Sequence, residues 1–195
     1  MKIGVLALQG AVAEHIRSIE AAGGQGVAVK RIEELQGLDG LIIPGGESTT
    51  IGKLMRKYGF IDAIREFSRQ GKPIFGTCAG LIVLADRIDG QEDAHLQLMD
   101  MKVARNAFGR QRESFETDLA IKGIEEPVRA VFIRAPLIME VSPNVDVLST
   151  YNGEIVTARQ GHLLASSYHP ELTDDYRLHA YFLDMAKEAA AAKEQ

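Results

Sequence analysis

At 195 residues, the chain is long enough for one domain with a sizeable hydrophobic core. Its net charge of -5 and the lack of a dense lysine and arginine run disfavour nucleic acid and anionic membranes as partners. A single cysteine excludes an internal disulfide, so nothing in the sequence demands an oxidising compartment. The N-terminal apolar run breaks at Gln9-Gly10, too early for a signal peptide, and no stretch approaches the roughly 20 apolar residues of a membrane span. The sequence therefore predicts a cytoplasmic protein.

The first half of the chain alternates predicted strands and helices. Near-continuous apolar runs predict strands at residues 2–8, 27–30, 40–43 and 72–76. A first helix carries Val12, Ile16 and Ile19 at helical spacing and ends at Gly23-Gly24. Further helices are predicted at about 49–57 and at 61–69. This alternation favours a mostly parallel sheet with helices on both faces.

The second half of the chain is richer in short strands. Strand candidates separated by turn residues lie at 118–122, 128–133, 145–151, 154–158 and 163–168. Asn152-Gly153 is a strong signal for a β-hairpin turn. A closing helix is predicted from Asp174 to the C-terminus. We therefore predict one α/β domain over residues 1–195, in which antiparallel strands extend a mostly parallel central sheet.

Cys78 stands between a predicted strand and an apolar run that predicts a helix. Its surroundings read Phe75-Gly76-Thr77-Cys78-Ala79-Gly80. A strand, then G-x-C-x-G, then a helix is typical of a nucleophile elbow in which sulfur replaces the usual serine oxygen. The glycines let the backbone turn sharply, and the N–H groups that begin the next helix favour a thiolate. We interpret Cys78 as a nucleophile rather than an inert buried cysteine.

A thiol nucleophile needs a base, and one of the five histidines is placed to supply it. His169 directly follows a predicted strand, where α/β folds put catalytic groups, and Glu171 is close enough in the chain to orient its imidazole. The other histidines are expected at the surface of the first helix, in a polar loop, after a turn glycine and in the last helix: His15, His95, His162 and His179.

Consecutive glycines follow the third predicted strand, in the segment Pro44-Gly45-Gly46-Glu47-Ser48-Thr49-Thr50. Glycines at this point free backbone N–H groups to form an oxyanion hole. A phosphate-binding loop is the rival interpretation. The spacing from Gly46 to Gly52-Lys53 is one residue too long for it, and Leu54 stands where Ser or Thr would hold magnesium. We prefer the oxyanion hole, and no Cys/His cluster predicts a metal site.

Two arginines are candidates for binding a substrate carboxylate. Arg105 and Arg134 lie at the edges of strand-rich segments, where a guanidinium can bind a carboxylate through two hydrogen bonds. Surface salt bridges explain the same pattern equally well, so both interpretations stay open.

Cys78 in its elbow, His169-x-Glu171 and the Pro-Gly-Gly loop together resemble the class I (triad) glutamine amidotransferases, whose fold is flavodoxin-like. Further segments narrow the resemblance to the PdxT/SNO family, the glutaminase subunits of pyridoxal 5′-phosphate synthase, over essentially the whole chain. Ile82 stands where many class I members carry glutamine, which disfavours the carbamoyl-phosphate, GMP and anthranilate branches. The segments that carry the resemblance are Leu8-Gln9-Gly10-Ala11-Val12, Pro44 to Thr50, Phe75 to Ile82, Arg105-Asn106 and Phe132-Ile133-Arg134-Ala135-Pro136.

The resemblance implies a reaction. Cys78 would attack the side-chain amide of L-glutamine, His169 would carry the proton to the leaving ammonia, and Glu171 would orient His169. Backbone N–H groups of Gly46 and Ala79 would hold the oxyanion of the tetrahedral intermediate. The glutamine-binding positions of the family match Gly46, Glu47, Ser48, Arg105, Ile133 and Arg134.

The resemblance also implies a partner and no cofactor or metal. Ammonia would pass to a separate synthase subunit, which joins it to a pentose phosphate and a triose phosphate. Family members assemble on a dodecameric ring of that synthase, with at most one glutaminase for each synthase subunit. Gln9 and the first helix are similar to the segment that meets the synthase and signals its presence.

Two other interpretations remain. One is another cysteine enzyme on the same scaffold, such as a PfpI-like peptidase or deglycase, against which the two arginines and His169-x-Glu171 argue. The other is a binding module with a vestigial site. A missing triad member would favour it, and none is missing from the sequence.

Overall fold

The structure, a computed structural model, describes residues 1–105 and 114–194. Its first half alternates strands and helices, as the apolar patterns predict. A short 3-10 helix at Ile32–Leu35 is the one addition to the predicted order in this stretch. The elements are β1 (Lys2–Leu6), α1 (Val12–Ala21), β2 (Gln25–Val29), β3 (Gly40–Ile43), α2 (Ser48–Lys57), α3 (Phe60–Arg69), β4 (Ile74–Thr77) and α4 (Ala79–Leu84).

The second half is mostly strands and ends in a long helix. A 3-10 helix at Pro170–Leu172 separates the last strand from that helix. The elements are β5 (Ala85–Ile88), β6 (Met99–Ala104), β7 (Ser114–Leu119), β8 (Val128–Ile133), β9 (Leu137–Val141), β10 (Asp146–Tyr151), β11 (Glu154–Gln160), β12 (Leu163–Ser166) and α5 (Arg177–Lys193).

Ten of the described strands form one sheet in the order β2-β1-β3-β4-β12-β11-β9-β6-β5, with β10 beside β11. The pairs from β2 to β12 along this order are parallel, whereas β11 pairs antiparallel with β9, β10 and β12. Strands β7 and β8 form a separate antiparallel pair. The expected α/β fold, with a parallel sheet extended by antiparallel strands, is therefore confirmed.

The sheet separates two hydrophobic cores, because successive side chains of a strand point to opposite faces. In β3, Leu41 and Ile43 pack in the core that α2, α3 and α4 cover. Ile42 between them packs in the other core, which α1, α5 and the β7–β8 pair cover. Strands buried on both faces explain the near-continuous apolar runs in the sequence.

Register places the functional segments at one edge of the sheet. β4 and β12 are parallel neighbours, and Thr77 lies opposite Ser166. The backbone N–H of Cys78 donates to the carbonyl of Ser166 at 2.8 Å. Because the chain leaves both strands at the same end, Cys78 and His169 emerge side by side.

Some expected elements differ from those observed. β5, β6 and β9 were not predicted. The apolar run at residues 81–85, which predicts a helix, is helical only as far as Leu84, because Ala85 begins β5. The candidate at 118–122 lies too late in the chain, since β7 spans Ser114–Leu119. The alternation in β6 is carried by two methionines and Val103 against Asp100 and Lys102, so Val103 is its single β-branched residue and it has no aromatic one, which leaves the strand signal weak.

Candidate active site

Cys78 lies in a sharp turn between β4 and α4. Its φ of 52° and ψ of -106° place a non-glycine residue in a sparsely populated region, which is the strain expected at a nucleophile elbow. A Cβ at Gly80 would collide with the backbone carbonyl of Ile43, and one at Gly76 would collide with the carbonyl of Gly80. The two glycines flanking Cys78 therefore let α4 pack directly against β3 and β4.

His169 comes directly after β12 and faces Cys78. Its Nδ1 lies 2.5 Å from Oε1 of Glu171, whose side chain is buried. Burial alone would lower the pKa of His169, but hydrogen bonds with Cys78 and Glu171 outweigh it and raise the pKa to about 10. Hydrogen bonding thus favours the protonated form of the His169 imidazole at neutral pH. The structure brings Cys78, His169 and Glu171 into one contiguous set.

His15 is not at the surface, so that prediction was wrong. Its side chain is fully buried at 0% exposure and lies behind Glu171, with Nε2 3.3 Å from Oε2 of that carboxylate. The signal was present in the sequence. His15 stands three residues after Val12 and four before Ile19, so it falls on the apolar stripe of α1 that packs against the sheet.

The Gly45–Glu47 loop packs against Cys78 and His169 and against the segment before α1. A Cβ built on Gly45 would lie 2.7 Å from Cε1 of His169 and 3.4 Å from Cβ of Cys78. Ala11 donates its backbone N–H to the carbonyl of Gly45 at 3.3 Å. Oε1 of Gln9 accepts from the N–H of Glu47 at 2.7 Å. Gln9, which the resemblance associates with the partner synthase, therefore contacts the loop that borders Cys78.

Glu47 caps α2 and holds Arg105. Its carboxylate accepts from the N–H groups of Thr49 and Thr50 at 3.2 and 2.8 Å, and Nη2 of Arg105 lies 3.1 Å from Oε1. The hydroxyl and N–H of Thr50, with the N–H of Thr49 and the Arg105 charge, lower the pKa of Glu47 to about 2. Arg105 is therefore at the site, beside a carboxylate that stays ionised; the neighbouring Asn106 lies outside the described residues.

The β8–β9 connection forms another border of the site. Sγ of Cys78 lies 3.9 Å from the carbonyl oxygen of Ile133, and both Ile133 and Arg134 are exposed. Arg134 has a φ of 44°, a left-handed conformation rare for a non-glycine residue. Gly46 is exposed in the loop, whereas Ser48 is buried in the first turn of α2.

Comparison with known protein families matches residues 5–188 to the SNO glutamine amidotransferase family. The chain belongs to that family. A relative from Niallia circulans, the pyridoxal 5′-phosphate synthase subunit PdxT, is 78% identical over 97% of this chain and 100% of its own length. The protein of the same name from Halalkalibacterium halodurans is 65% identical over 97% of this chain and 96% of its own.

Solved structures agree with this membership in the SNO family. A crystal structure of a glutamine amidotransferase superposes with a TM-score of 0.91 at 49% identity, covering 95% of this chain and 98% of that one. A GMP synthase subunit from Thermoplasma acidophilum superposes with a TM-score of 0.69 at 16% identity, covering 100% and 96%, which supports the fold alone. In residues 1–105 and 114–194, no helix has the length and apolar character that crossing a membrane requires.

Proposed function

We propose that Cys78, His169 and Glu171 hydrolyse the side-chain amide of L-glutamine to glutamate and ammonia, as the glutaminase of a pyridoxal 5′-phosphate synthase. The observation that carries this proposal is the contact of 2.5 Å between His169 Nδ1 and Glu171 Oε1, made by a histidine that lies with Cys78 against Gly45. A relative is 78% identical over nearly the whole chain and bears the name of that subunit. Its name supports a role in pyridoxal 5′-phosphate synthesis.

In the proposed reaction, His169 carries out each proton transfer. Because Nδ1 of His169 faces Glu171, Nε2 is the nitrogen that exchanges a proton with Cys78. The sulfur attacks the amide carbon, and the C–N bond then breaks as Nε2 returns its proton to the departing ammonia. Water, deprotonated by Nε2, attacks the thioester and releases glutamate and the thiol.

The N–H groups of Gly46 and Ala79 are proposed to form the oxyanion hole. Ala79 begins α4, where the first N–H groups of a helix have no partner within the helix. The carbonyl of Gly45 accepts from Ala11, so in a trans peptide the N–H of Gly46 points away from that residue. We infer that partner contact at Gln9 and α1 adjusts this peptide, because Gln9 and Ala11, the residue that precedes α1, both bond the same loop.

Glutamine is proposed to bind along the rim of the elbow. Glu47 is ionised and exposed, so it can accept from the α-ammonium group of the substrate, and Arg105 and Arg134 can bind the α-carboxylate. The backbone at Gly46 and Ile133 and the first turn of α2 at Ser48 would complete the site.

The assembly is proposed to be a glutaminase bound to a dodecameric synthase, with residues 1–195 acting as one glutaminase domain. Ammonia would pass directly to the synthase, since this chain's chemistry ends with amide hydrolysis. We also propose a cytoplasmic location, because a catalytic thiol at Cys78 must stay reduced and reducing compartments keep thiols in that state.

Glutamate release from L-glutamine by the purified chain tests the proposal. We expect release that rises on adding the synthase and disappears in Cys78→Ala. A Cys78-directed analogue of glutamine should label the wild type, and excess glutamine should protect it. Activity on peptides or glycated substrates without glutamine hydrolysis would favour a PfpI-like enzyme, and full function of Cys78→Ala in vivo would favour a binding module.

A further inference from the structure

A buried chain of polar side chains continues behind the triad, and the reaction as described does not use it. Nδ1 of His15, in α1, lies 2.9 Å from Nε2 of His179, in α5. Nε2 of His15 lies 3.1 Å from Oγ1 of Thr77 and 3.3 Å from Oε2 of Glu171. His15 and His179 are 0% and 1% exposed, so the contacts form without water at the surface competing for them.

The far oxygen of Glu171 needs a donor. Oε2 is buried, and no hydrogen bond of good geometry reaches it from the residues that the structure describes. A buried carboxylate oxygen without a donor is strongly unfavourable. His15 Nε2, at 3.3 Å, is close enough to supply one with a small rotation of either side chain. Catalytic hydrogen bonds of this kind are often long without substrate and shorten in the complex.

Both imidazoles behind Glu171 are neutral. Burial and the neighbouring His179 and His169 hold the pKa of His15 well below its ordinary value, and burial lowers the pKa of His179 to about 4. A neutral imidazole carries one proton, on Nδ1 or on Nε2. The contact between His15 Nδ1 and His179 Nε2 therefore has one donor and one acceptor, and which of them donates sets whether Nε2 of His15, the nitrogen that faces Glu171, carries a proton.

One of the two arrangements satisfies the carboxylate. If His179 donates from Nε2, His15 carries its proton on Nε2, within reach of both Thr77 Oγ1 and Glu171 Oε2, and the ring nitrogen of this histidine pair that stays without a partner is an acceptor, Nδ1 of His179. In the reverse arrangement the lone pair of His15 Nε2 faces the Glu171 carboxylate, and the buried Nδ1 proton of His179 has no acceptor among the described residues. The Thr77 hydroxyl fits either arrangement because it both donates and accepts.

We propose that His15 is a positioning residue that donates from Nε2 to Oε2 of Glu171, and that His179 fixes this tautomer by donating from its own Nε2 to Nδ1 of His15. The proposal rests on the triad role of Glu171 given above. Glu171 is then held at both oxygens, one toward His169 and one toward His15, so its carboxylate is kept in the orientation that proton transfer requires.

The first experiment reads the tautomers directly on the full-length wild-type chain. Nitrogen NMR with labelled histidine distinguishes a protonated ring nitrogen from a bare one, and the assignment needs no activity. We expect both His15 and His179 to carry their proton on Nε2 at neutral pH. A proton on Nδ1 of His15 would overturn the proposal, whether or not the chain proves to be a glutaminase.

The second experiment measures kcat and KM for glutamine in the complex with the synthase. His15→Leu removes the donor, and His15→Gln keeps a donor near the position of Nε2. A hydrogen bond to a buried charge predicts a kcat about tenfold to hundredfold lower in His15→Leu, with KM little changed and most of kcat restored in His15→Gln. Equal kcat values for the two variants would overturn the proposal.

A second matched pair covers the case in which His15→Leu does not fold. His179→Gln keeps a donor to His15 and His179→Leu removes it, so the proposal predicts a lower kcat and a shift of the His15 proton toward Nδ1 only in His179→Leu. An unchanged tautomer in His179→Leu would contradict the role of His179. If the wild-type complex released no glutamate, the proposed function would be wrong. The tautomers of His15 and His179 would still be tested independently by the NMR measurement.

Discussion

Replacing His179 with glutamine is expected to make the protein less sensitive to acid. His179 lies on α5 and is buried as a neutral imidazole, and burial lowers its pKa from 6.5 to about 4. Between those values the unfolded chain binds a proton that the folded chain does not. The stability contributed by the neutral imidazole is therefore complete above pH 6.5 and is lost as the pH falls toward 4. Glutamine cannot take up that proton.

The size of the effect follows from the two pKa values. One pH unit within that window is equivalent to about 1.4 kcal/mol for one proton. Across the whole window the wild type should lose roughly 3 kcal/mol more of its free energy of unfolding than His179→Gln. Such a loss is a large share of the 5–15 kcal/mol that roughly bounds the stability of most domains. Buried groups that do not contact His179 titrate alike in both proteins and cancel in the difference, whereas His15, whose pKa the neighbouring His179 helps to lower, adds to the loss in the wild type.

Urea unfolding of the isolated chain at several pH values from 7 to 4.5 measures this difference, with the m-value checked for constancy. His162→Gln is the matched control, since His162 is half-buried, bonds the Ser68 hydroxyl at 2.8 Å and should give a shallower difference. Parallel stability curves for the wild type and His179→Gln would refute the reasoning, because they would mean that His179 is not kept neutral by burial.

Three further substitutions test other parts of the structure. Gly45→Ala places a Cβ 2.7 Å from Cε1 of His169, so kcat should fall about hundredfold with little change in unfolding free energy; an unchanged kcat would show that the loop yields freely. Glu47→Gln removes the charge proposed to meet the substrate ammonium, and KM for glutamine should rise about tenfold while kcat holds; a selective fall in kcat would argue against a binding role. Tyr168→Phe deletes a buried hydroxyl 2.7 Å from Thr157 Oγ1 and should lower the unfolding free energy by about 1–2 kcal/mol in urea titrations, whereas no shift of the midpoint would contradict that bond.

Much of the parallel half of the fold could be predicted from the sequence, because its signals are local. β3 at Gly40–Ile43 and β8 at Val128–Ile133 match the predicted bounds. β3 is a continuous apolar run, and the residues of β8 are apolar except for Arg129. Asn152 and Gly153 both have positive φ, at 50° and 81°, as the hairpin turn between β10 and β11 requires. Strand β9 was missed because five residues with two exposed positions give too weak a pattern.

The sequence by itself determined which groups could react: a thiol between glycines after a strand, and a histidine two residues before a glutamate. These features depend on neighbours along the chain, so their spacing is visible without a fold. Only the tertiary structure decided which side chains surround these groups and how the backbone beside them is shaped. His15 and His179 are 164 residues apart and meet through α1 and α5, and Arg134 adopts a left-handed backbone that its residue type does not favour. Burial and long-range hydrogen bonds set a side chain's proton and orientation, and those partners come together only when the sheet brings distant segments to one edge.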